Sequence, residues 1–382
     1  MLVAAQALIE ALTSRGVSFF TGVPDSLLAP FCAALAASGA PWMHRVAPNE
    51  GTAVALASGH HLASGKPAAV YMQNSGLGNA INSLTSLADP MVYGFPLILV
   101  VGWRAEYREG RQVVDEPQHV RQGLITPALL DVLSVPFTVL GPQPDEGLDS
   151  IAPLIDRAVT EERPVAIVVR KGALSGPTHE VPVGSRGLGR EQAIALLARA
   201  IGADIPIIAT TGKISRELFE LRKRNGNGGD LDFLVVGSMG HASQIASGLA
   251  MTQTGKPVIC FDGDGAALMH LGGLTISATC PNLRHVILNN RVHDSVGGQP
   301  TCAPNAPLAE IAKACGYGWT RRVTSRSELE AAIPAFLGSS RSALLEVIVQ
   351  PGSRVDLGRP DRSPRDLKQT FMARISEVNH DQ

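Results

Sequence analysis

What this chain lacks narrows its function first. Its 33 Lys and Arg against 34 Asp and Glu leave a net charge of −1, so no basic field points to nucleic acid. Aromatic residues are only 4% of the total, too few to suggest an aromatic-lined pocket. The five cysteines (Cys32, Cys260, Cys280, Cys302 and Cys315) are odd in number and form no C-x-x-C pair, which reads as buried thiols in a reduced, cytoplasmic protein. No apolar run reaches the roughly 18 residues of a membrane span. The start, MLVAAQALIEALTSRG, has no basic n-region of a signal peptide. Its Leu2, Ala5, Leu8, Ile9 and Leu12 instead fall at helical spacing. Short motifs are missing too. Gly212-Lys213 lacks the glycine and the following Ser or Thr of a phosphate loop, and the segments around Gly76 and Gly263 lack the third glycine of a dinucleotide fingerprint. No nucleophile elbow surrounds Ser75, and no H-E-x-x-H zinc helix is present.

What is present is alternation. Strands are predicted at Val17–Val23, Ala68–Gln73, Leu97–Trp103, Phe137–Leu140 and Val165–Arg170, with helices at Ser26–Ala37, Glu50–Ser64 and Gly78–Ser86. A second series places strands at Ile205–Thr210, Phe233–Val236, Pro257–Phe261, His285–Leu288 and Leu344–Val349. Its helices are Arg190–Ile201, Ser243–Met251 and Leu308–Cys315. The stretch Arg222–Asp230 reads as a polar loop, and THEVPVGSRGLGR (Thr178–Arg190) as a linker. Strands alternating with helices imply parallel sheets covered on both faces. The expected fold is therefore α/β, with two doubly wound parallel-sheet domains: residues 1–178, a linker at 179–189, and residues 190–382. No sequence repeat links the halves.

The chemistry concentrates between Phe261 and Asn290. One apolar run ends in Gly263-Asp264-Gly265, and another ends in Asn289-Asn290, with Asn290 lying 26 positions after Asp264. Two strand ends thus each deliver a hard oxygen ligand, suited to Mg²⁺ or Ca²⁺, and Mg²⁺ commonly takes phosphate oxygens as further ligands. The two glycines let backbone approach a diphosphate closely. In open α/β sheets, ligands sit beyond the carboxyl ends of strands, where both residues fall.

This spacing resembles the thiamine-diphosphate motif, a GDG followed by NN. The rest of the chain resembles the thiamine-diphosphate-dependent 2-keto acid decarboxylases, and among them those acting on phosphonopyruvate and sulfopyruvate. The matching segments are Gly22–Ser26, Ala47–Ala53, Gln73–Asn79, Asp115–His119, Gly237–Ala242, His293–Thr301 and Leu357–Pro360. The resemblance implies a thiamine-diphosphate-binding fold, with a pyrimidine-binding domain first and a diphosphate-binding domain second. It also implies a homo-oligomer with active sites between subunits. Glu50 would hydrogen-bond N1′ of the aminopyrimidine. Asp264 and Asn290 would hold Mg²⁺ by side chain and Val292 by its carbonyl. Met239 would wedge the cofactor into its bent shape, beside Gly240 and His241. Gly263, Gly265 and Ala266 would line the diphosphate, and Gln73, Asn74 and Ser75 the reacting carbon. Asp25 matches an active-site carboxylate and equally reads as a helix N-cap. Gln118 and His119 match a loop over the site. Asp294 joins the catalytic candidates through the His293–Thr301 match.

The implied reaction is decarboxylation of phosphonopyruvate to phosphonoacetaldehyde and CO₂ in phosphonate metabolism, with sulfopyruvate or another 2-keto acid as alternatives. Such a substrate needs cationic contacts. Lys213, Arg216, His293 and Ser295 are candidates, and Arg104 is another. They are expected at the phosphonate end, because fixing the departing carboxylate would favour the ground state. Sulfopyruvate enzymes often divide the two domains between chains, so a fused chain favours the phosphonate.

Overall fold

The computed structural model describes residues 2–36, 41–143, 146–177, 187–226, 229–253 and 255–380. The chain divides into two units: Met1–Glu180 with Val296–Pro300, and Val181–Ser295 with Thr301–Gln382. Most of the expected linker, at 178–186, lies outside the described residues. No helix among the described residues is long and apolar enough to cross a membrane.

The first unit is built on six parallel strands: β1 (Phe19–Gly22), β2 (Met43–Val46), β3 (Ala68–Gln73), β4 (Leu97–Gly102), β5 (Phe137–Leu140) and β6 (Val165–Val169). Their order across the sheet is β2-β1-β3-β4-β6-β5. Helices α1 (Ala5–Thr13), α2 (Ala29–Leu35), α3 (Glu50–Ser64), α4 (Leu77–Ser83), α5 (Pro117–Val132) and α6 (Ile151–Thr160) cover it. The pleat sends alternate residues to opposite faces. Tyr71, Ile98 and Val100 enter one core with α1, α2 and α6. Val70, Met72, Leu99 and Val101 enter another with α3 and α4.

The second unit repeats the plan. Its strands are β7 (Ile207–Ala209), β8 (Asp232–Leu234), β9 (Val258–Gly263), β10 (Leu283–Asn289), β11 (Trp319–Val323) and β12 (Ala343–Ile348), all parallel, in the order β8-β7-β9-β10-β12-β11. Counted within each unit, the two orders are the same, although the sequences show no repeat. Its helices are α7 (Arg190–Ile201), α8 (Lys213–Arg224), α9 (Ala242–Thr252), α10 (Asp264–Met269), α11 (Leu308–Ala314), α12 (Arg326–Leu337) and α13 (Pro364–His380). Ile259, Phe261, Val286 and Leu288 face one core, and Val258, Cys260 and Leu283 face another.

Two expectations are corrected here. Arg222–Asp230 is not all loop, because Arg222–Arg224 complete α8 and Arg222 is buried against Asp232 at 2.9 Å. Gln118 and His119 lie in the first turn of α5 and not in a loop. Pro117 at that helix's first position explains the difference, since proline there lacks only an N–H that would go unpaired anyway.

Candidate active site

In each sheet the strand order reverses beside the first strand, between β1 and β3 and between β7 and β9. Doubly wound folds bind ligands at such reversals, beyond the strands' carboxyl ends. The residues of interest cluster there.

In the first unit, Asn49 caps α3 by accepting the Thr52 N–H at 2.9 Å, which fixes Glu50 as the first helical residue. Glu50 is 5% exposed. Asn79 Nδ2 donates to its Oε2 at 2.8 Å. Burial raises the Glu50 carboxyl above its ordinary range, and the Asn79 hydrogen bond only partly opposes this. Gly76 makes the close approach possible, because a Cβ there would sit 2.4 Å from Glu50 Oε1.

Asp25 is fully buried after β1. Its Oδ2 accepts the Leu27 N–H at 3.0 Å and its Oδ1 the Gln73 amide at 2.7 Å. Asp25 therefore closes a local turn without capping α2, which begins four residues later. Burial raises its carboxyl, with Gln73 the main opposing contact. Ser75 Oγ donates to Gln73 Oε1 at 2.8 Å, extending the chain Ser75–Gln73–Asp25. Asn74 points elsewhere. It donates to Arg104 O at 3.2 Å and Thr126 Oγ1 at 3.0 Å, tying β3 to α5. Arg104 itself is committed to Asp115 through two contacts of 2.6 and 2.7 Å. His119 is half-buried at the start of α5.

In the second unit, β9 and β10 are neighbours, with Gly263 beside Leu288. Asp264 and Asn290 therefore follow adjacent strand ends, and the Asn290 N–H reaches Asp264 Oδ1 at 3.4 Å. Asp264 is 2% exposed, and Thr301 Oγ1 donates to its Oδ2 at 2.6 Å. Burial pushes its carboxyl up to about 6 against those hydrogen bonds. Asn290 Oδ1 accepts the Val292 N–H at 3.2 Å, around Arg291 held at φ +64°. A buried carboxylate, an amide oxygen and a backbone carbonyl form a hard-oxygen donor set that fits Mg²⁺. The segment between Asp264 and Asn290 is broken into short pieces at Leu271–Gly273 and Leu274–Ser277.

The Gly237–His241 turn packs on this motif. Gly240 has φ +91°, and a Cβ there would sit 3.2 Å from Ala266 O and 2.9 Å from Met269 Cβ, so only glycine fits. Met239 is half-buried in the turn, and the His241 ring lies 4.3 Å from that of His270. His293 packs against Gly265, with its Cε1 3.0 Å from where a Cβ would stand. Burial lowers this imidazole to about 4, so it is neutral at pH 7. At the end of β7, Gly212 precedes Lys213, the first residue of α8, and Ser295 Oγ stands 3.0 Å from the position of a Gly212 Cβ. Lys213 is half-buried. Burial first, then Arg216 and Arg190, lower its ammonium. Asp294 accepts from Arg190 Nη1 at 2.5 Å and from Asn290 Nδ2 at 2.8 Å.

The first unit thus brings together Asp25, Gln73 and Ser75, and holds Glu50 beside Gly76. The second brings Asp264 beside the turn that holds Asn290, Val292 and Asp294, with Gly263, Gly265, Ala266 and His293 next to Asp264 and the Met239–His241 turn packed on Ala266 and Met269 through Gly240. Sequence reasoning placed Asn79, Gln299 and Thr301 in matching segments without assigning them a role, and gave Arg190 only as a helix start. Gln299 is 1% exposed with both side-chain amide atoms unpartnered. Sequence reasoning also missed the buried chain of Asp262 on β9, His285 on β10 and Tyr317, with His285 Nε2 3.6 Å from Asp262 and Nδ1 3.2 Å from the Tyr317 hydroxyl. Asp262 and His285 lie within the apolar runs, where strand pattern hides them.

Comparison with known proteins gives a consistent result. Residues 2–125 match the thiamine pyrophosphate enzyme N-terminal TPP binding domain, and residues 210–347 the corresponding C-terminal TPP binding domain. The chain is 35% identical to a phosphonopyruvate decarboxylase of Streptomyces viridochromogenes, covering 98% of this chain and 96% of that protein. It is 34% identical to one of Streptomyces hygroscopicus, covering 97% and 93%. A sulfopyruvate decarboxylase of Methanosarcina acetivorans is 31% identical over 80% of this chain and 81% of its own length. With a buried Glu50 in one unit and a hard-oxygen turn in the other, the chain belongs to the thiamine-diphosphate-dependent 2-keto acid decarboxylase family.

Proposed function

We propose that this protein decarboxylates phosphonopyruvate to phosphonoacetaldehyde and CO₂, using thiamine diphosphate and Mg²⁺, as a step of phosphonate biosynthesis. The observation that carries the substrate is the 35% identity over 98% of the chain, both higher and longer than the 31% over 80% for the sulfopyruvate enzyme. Fusion of the domains carries less weight than the sequence implied, because that sulfopyruvate relative also aligns over 330 residues in one chain.

Thiamine diphosphate, when bound, supplies the electron sink that decarboxylation of a 2-keto acid requires. The bond from the keto carbon to the carboxylate breaks, its electron pair stays with the keto carbon, and that carbon then takes a proton. Glu50 holds a proton for the aminopyrimidine N1′. Asn79 occupies Oε2, which leaves Oε1 for the exchange, and the dry surroundings favour the shared proton. Asp25, held by Gln73, and His119 are the residues we assign to proton delivery at the keto carbon. Gln73 and Ser75 orient the reacting end, while Asn74 braces the strand behind them. Asp264, Asn290 and the Val292 carbonyl hold the cation. Gly263, Gly265 and Ala266 line the diphosphate, and Met239, beside Gly240 and His241, wedges the cofactor into its bent shape. Lys213 and Arg216, with Ser295 and His293 nearby, receive the phosphonate. Burial lowers the Lys213 ammonium, and a dianion bound beside it favours the charged form and opposes that lowering.

We assign pyrimidine binding to residues 1–178 and diphosphate binding to residues 190–382, with 179–189 as linker. The likeness to the family supports a homo-oligomer with active sites between subunits. The five free thiols support a cytoplasmic setting. The test is aldehyde release from phosphonopyruvate, sulfopyruvate and pyruvate in parallel, with and without thiamine diphosphate and Mg²⁺. The expected result is release that requires both additions, with the highest kcat/KM for phosphonopyruvate. A higher kcat/KM for sulfopyruvate overturns the substrate and leaves the reaction.

A further inference from the structure

Asn290 is held by more than its turn. Its Nδ2 donates to Asp294 Oδ2 at 2.8 Å. The same oxygen accepts from Arg190 Nη1 at 2.5 Å, and the Gly352 N–H lies 3.1 Å from both Asp294 oxygens. Arg190 is in turn forked onto Glu217 at 2.8 and 2.9 Å. These side chains are nearly dry, with Arg190 at 4%, Glu217 at 3% and Asp294 at 5% exposure. The four side chains come from α7, α8 and the segment after β10, and the Gly352 N–H from the segment after β12, so the network depends on the fold and not on the turn alone.

An amide has two unlike ends, and only its oxygen ligates a cation. Asp294, paired with a guanidinium, offers acceptors alone, so it can engage only the NH₂ end of Asn290. We propose that the Arg190–Asp294 pair is a positioning device that turns Asn290 Oδ1 toward the cation held by Asp264. Asp294 is then a positioning residue, and the direct catalytic role first expected of it passes to the first unit's groups. Outer-shell partners of this kind typically contribute 10–100-fold to metal affinity. The inference rests on the functional reading above.

The test compares Asp294→Asn and Asp294→Ala with wild type. Mg²⁺ affinity is measured by calorimetry at saturating thiamine diphosphate, and kcat is measured across a Mg²⁺ titration. An Asn at 294 keeps the shape but cannot accept from Arg190, Asn290 and Gly352 together. The expected result is a 10–100-fold weaker Mg²⁺ affinity, with excess Mg²⁺ restoring most of kcat. Arg190→Lys, which keeps the charge and loses the fork, should fall between. If Asp294→Ala does not fold, Asp294→Asn carries the test. Metal affinity within twofold of wild type, or a hundredfold loss of kcat that excess Mg²⁺ does not restore, overturns the inference alone. Wild-type protein that binds no thiamine diphosphate overturns the functional reading and this inference with it.

Discussion

Replacing Gly76 with Ala adds one methyl group against Glu50 and changes nothing else. Gly76 has φ −69° and ψ −19°, a conformation alanine adopts freely, so backbone strain plays no part. The new Cβ would stand 2.4 Å from Glu50 Oε1, 2.7 Å from Cγ and 2.8 Å from Cδ. Non-bonded carbon contacts are optimal at about 3.5–4.0 Å, so the carboxyl must retreat by about 1 Å. It has little room, because Asn79 anchors Oε2 at 2.8 Å and Glu50 begins a capped helix. Overpacking of this kind costs about 1–3 kcal/mol. For a unit of this size that corresponds to a Tm lower by roughly 2–12 °C. A displacement of about 1 Å in a catalytic group costs about 100-fold in rate. The assay pairs differential scanning calorimetry with kcat for aldehyde release at saturating cofactor. A Gly76→Ala enzyme with kcat within threefold of wild type would refute the claim that Glu50 is clamped where the chemistry needs it.

Glu50→Gln removes the exchangeable proton while keeping the side chain's shape. Turnover should fall at least 100-fold, with thiamine diphosphate affinity by calorimetry within about fivefold of wild type; surviving activity would remove Glu50 from the mechanism. Lys213→Met should raise KM for phosphonopyruvate at least tenfold and leave KM for the cofactor unchanged, as judged from steady-state kinetics. His44 provides a pH-linked prediction. Burial first, and Arg45 second, lower its imidazole to about 4, and its Nε2 lies 2.8 Å from the Tyr71 hydroxyl. Between about pH 6.5 and 4 the unfolded chain therefore binds a proton that the folded chain refuses, and stability falls as pH falls. The loss from pH 7 to pH 5 is about 2 kcal/mol, and His44→Gln should flatten that part of the urea-midpoint profile.

Much of this was legible from residue order. The segments Ala68–Gln73, Phe137–Leu140, Glu50–Ser64 and Arg190–Ile201 have the same bounds in structure as in pattern. Buried parallel strands carry unbroken apolar runs, and Asn49 and Gly65 punctuate α3 at both ends. What escaped notice has physical causes. Strands β2 and β11 are half-exposed sheet edges interrupted by His44 and Arg45 and by Arg321 and Arg322, so neither reads as an apolar run. Helices α5 and α12 carry Pro127 and Pro334 in their interiors, which interrupts the helical signal. At the site, Asp264 and Asn290 were legible because each ends an apolar run. Asn79 and Thr301 were not, because they meet Glu50 and Asp264 from 29 and 37 positions away, and no local period encodes such a meeting.

The same physics explains why the two halves use one strand order for unlike chemistry. A reversal beside the first strand leaves two adjacent strand ends with diverging connections, and polar groups can stand there without breaking a core. In the first unit that place holds carboxyl groups kept dry: Asp25 fully buried, and Glu50 within reach of α4. Both are raised by burial and opposed chiefly by a side-chain amide, with the Leu27 N–H and Arg104 also acting on Asp25, a setting for moving protons. In the second unit it holds Asp264, likewise raised by burial, with the amide oxygen of Asn290 fixed nearby and no side-chain cation bonded to Asp264 among the described residues. A buried carboxylate there is costly until a cation arrives, and relief of that cost adds to metal affinity. The difference lies in what flanks each carboxyl. Asn79 and Gln73 donate to the first pair and leave them able to exchange a proton. In the second unit Arg190 bonds Asp294 and Asp294 bonds Asn290, so the proposed positioning of Asn290 leaves Asp264 without a side-chain cation of its own among the described residues.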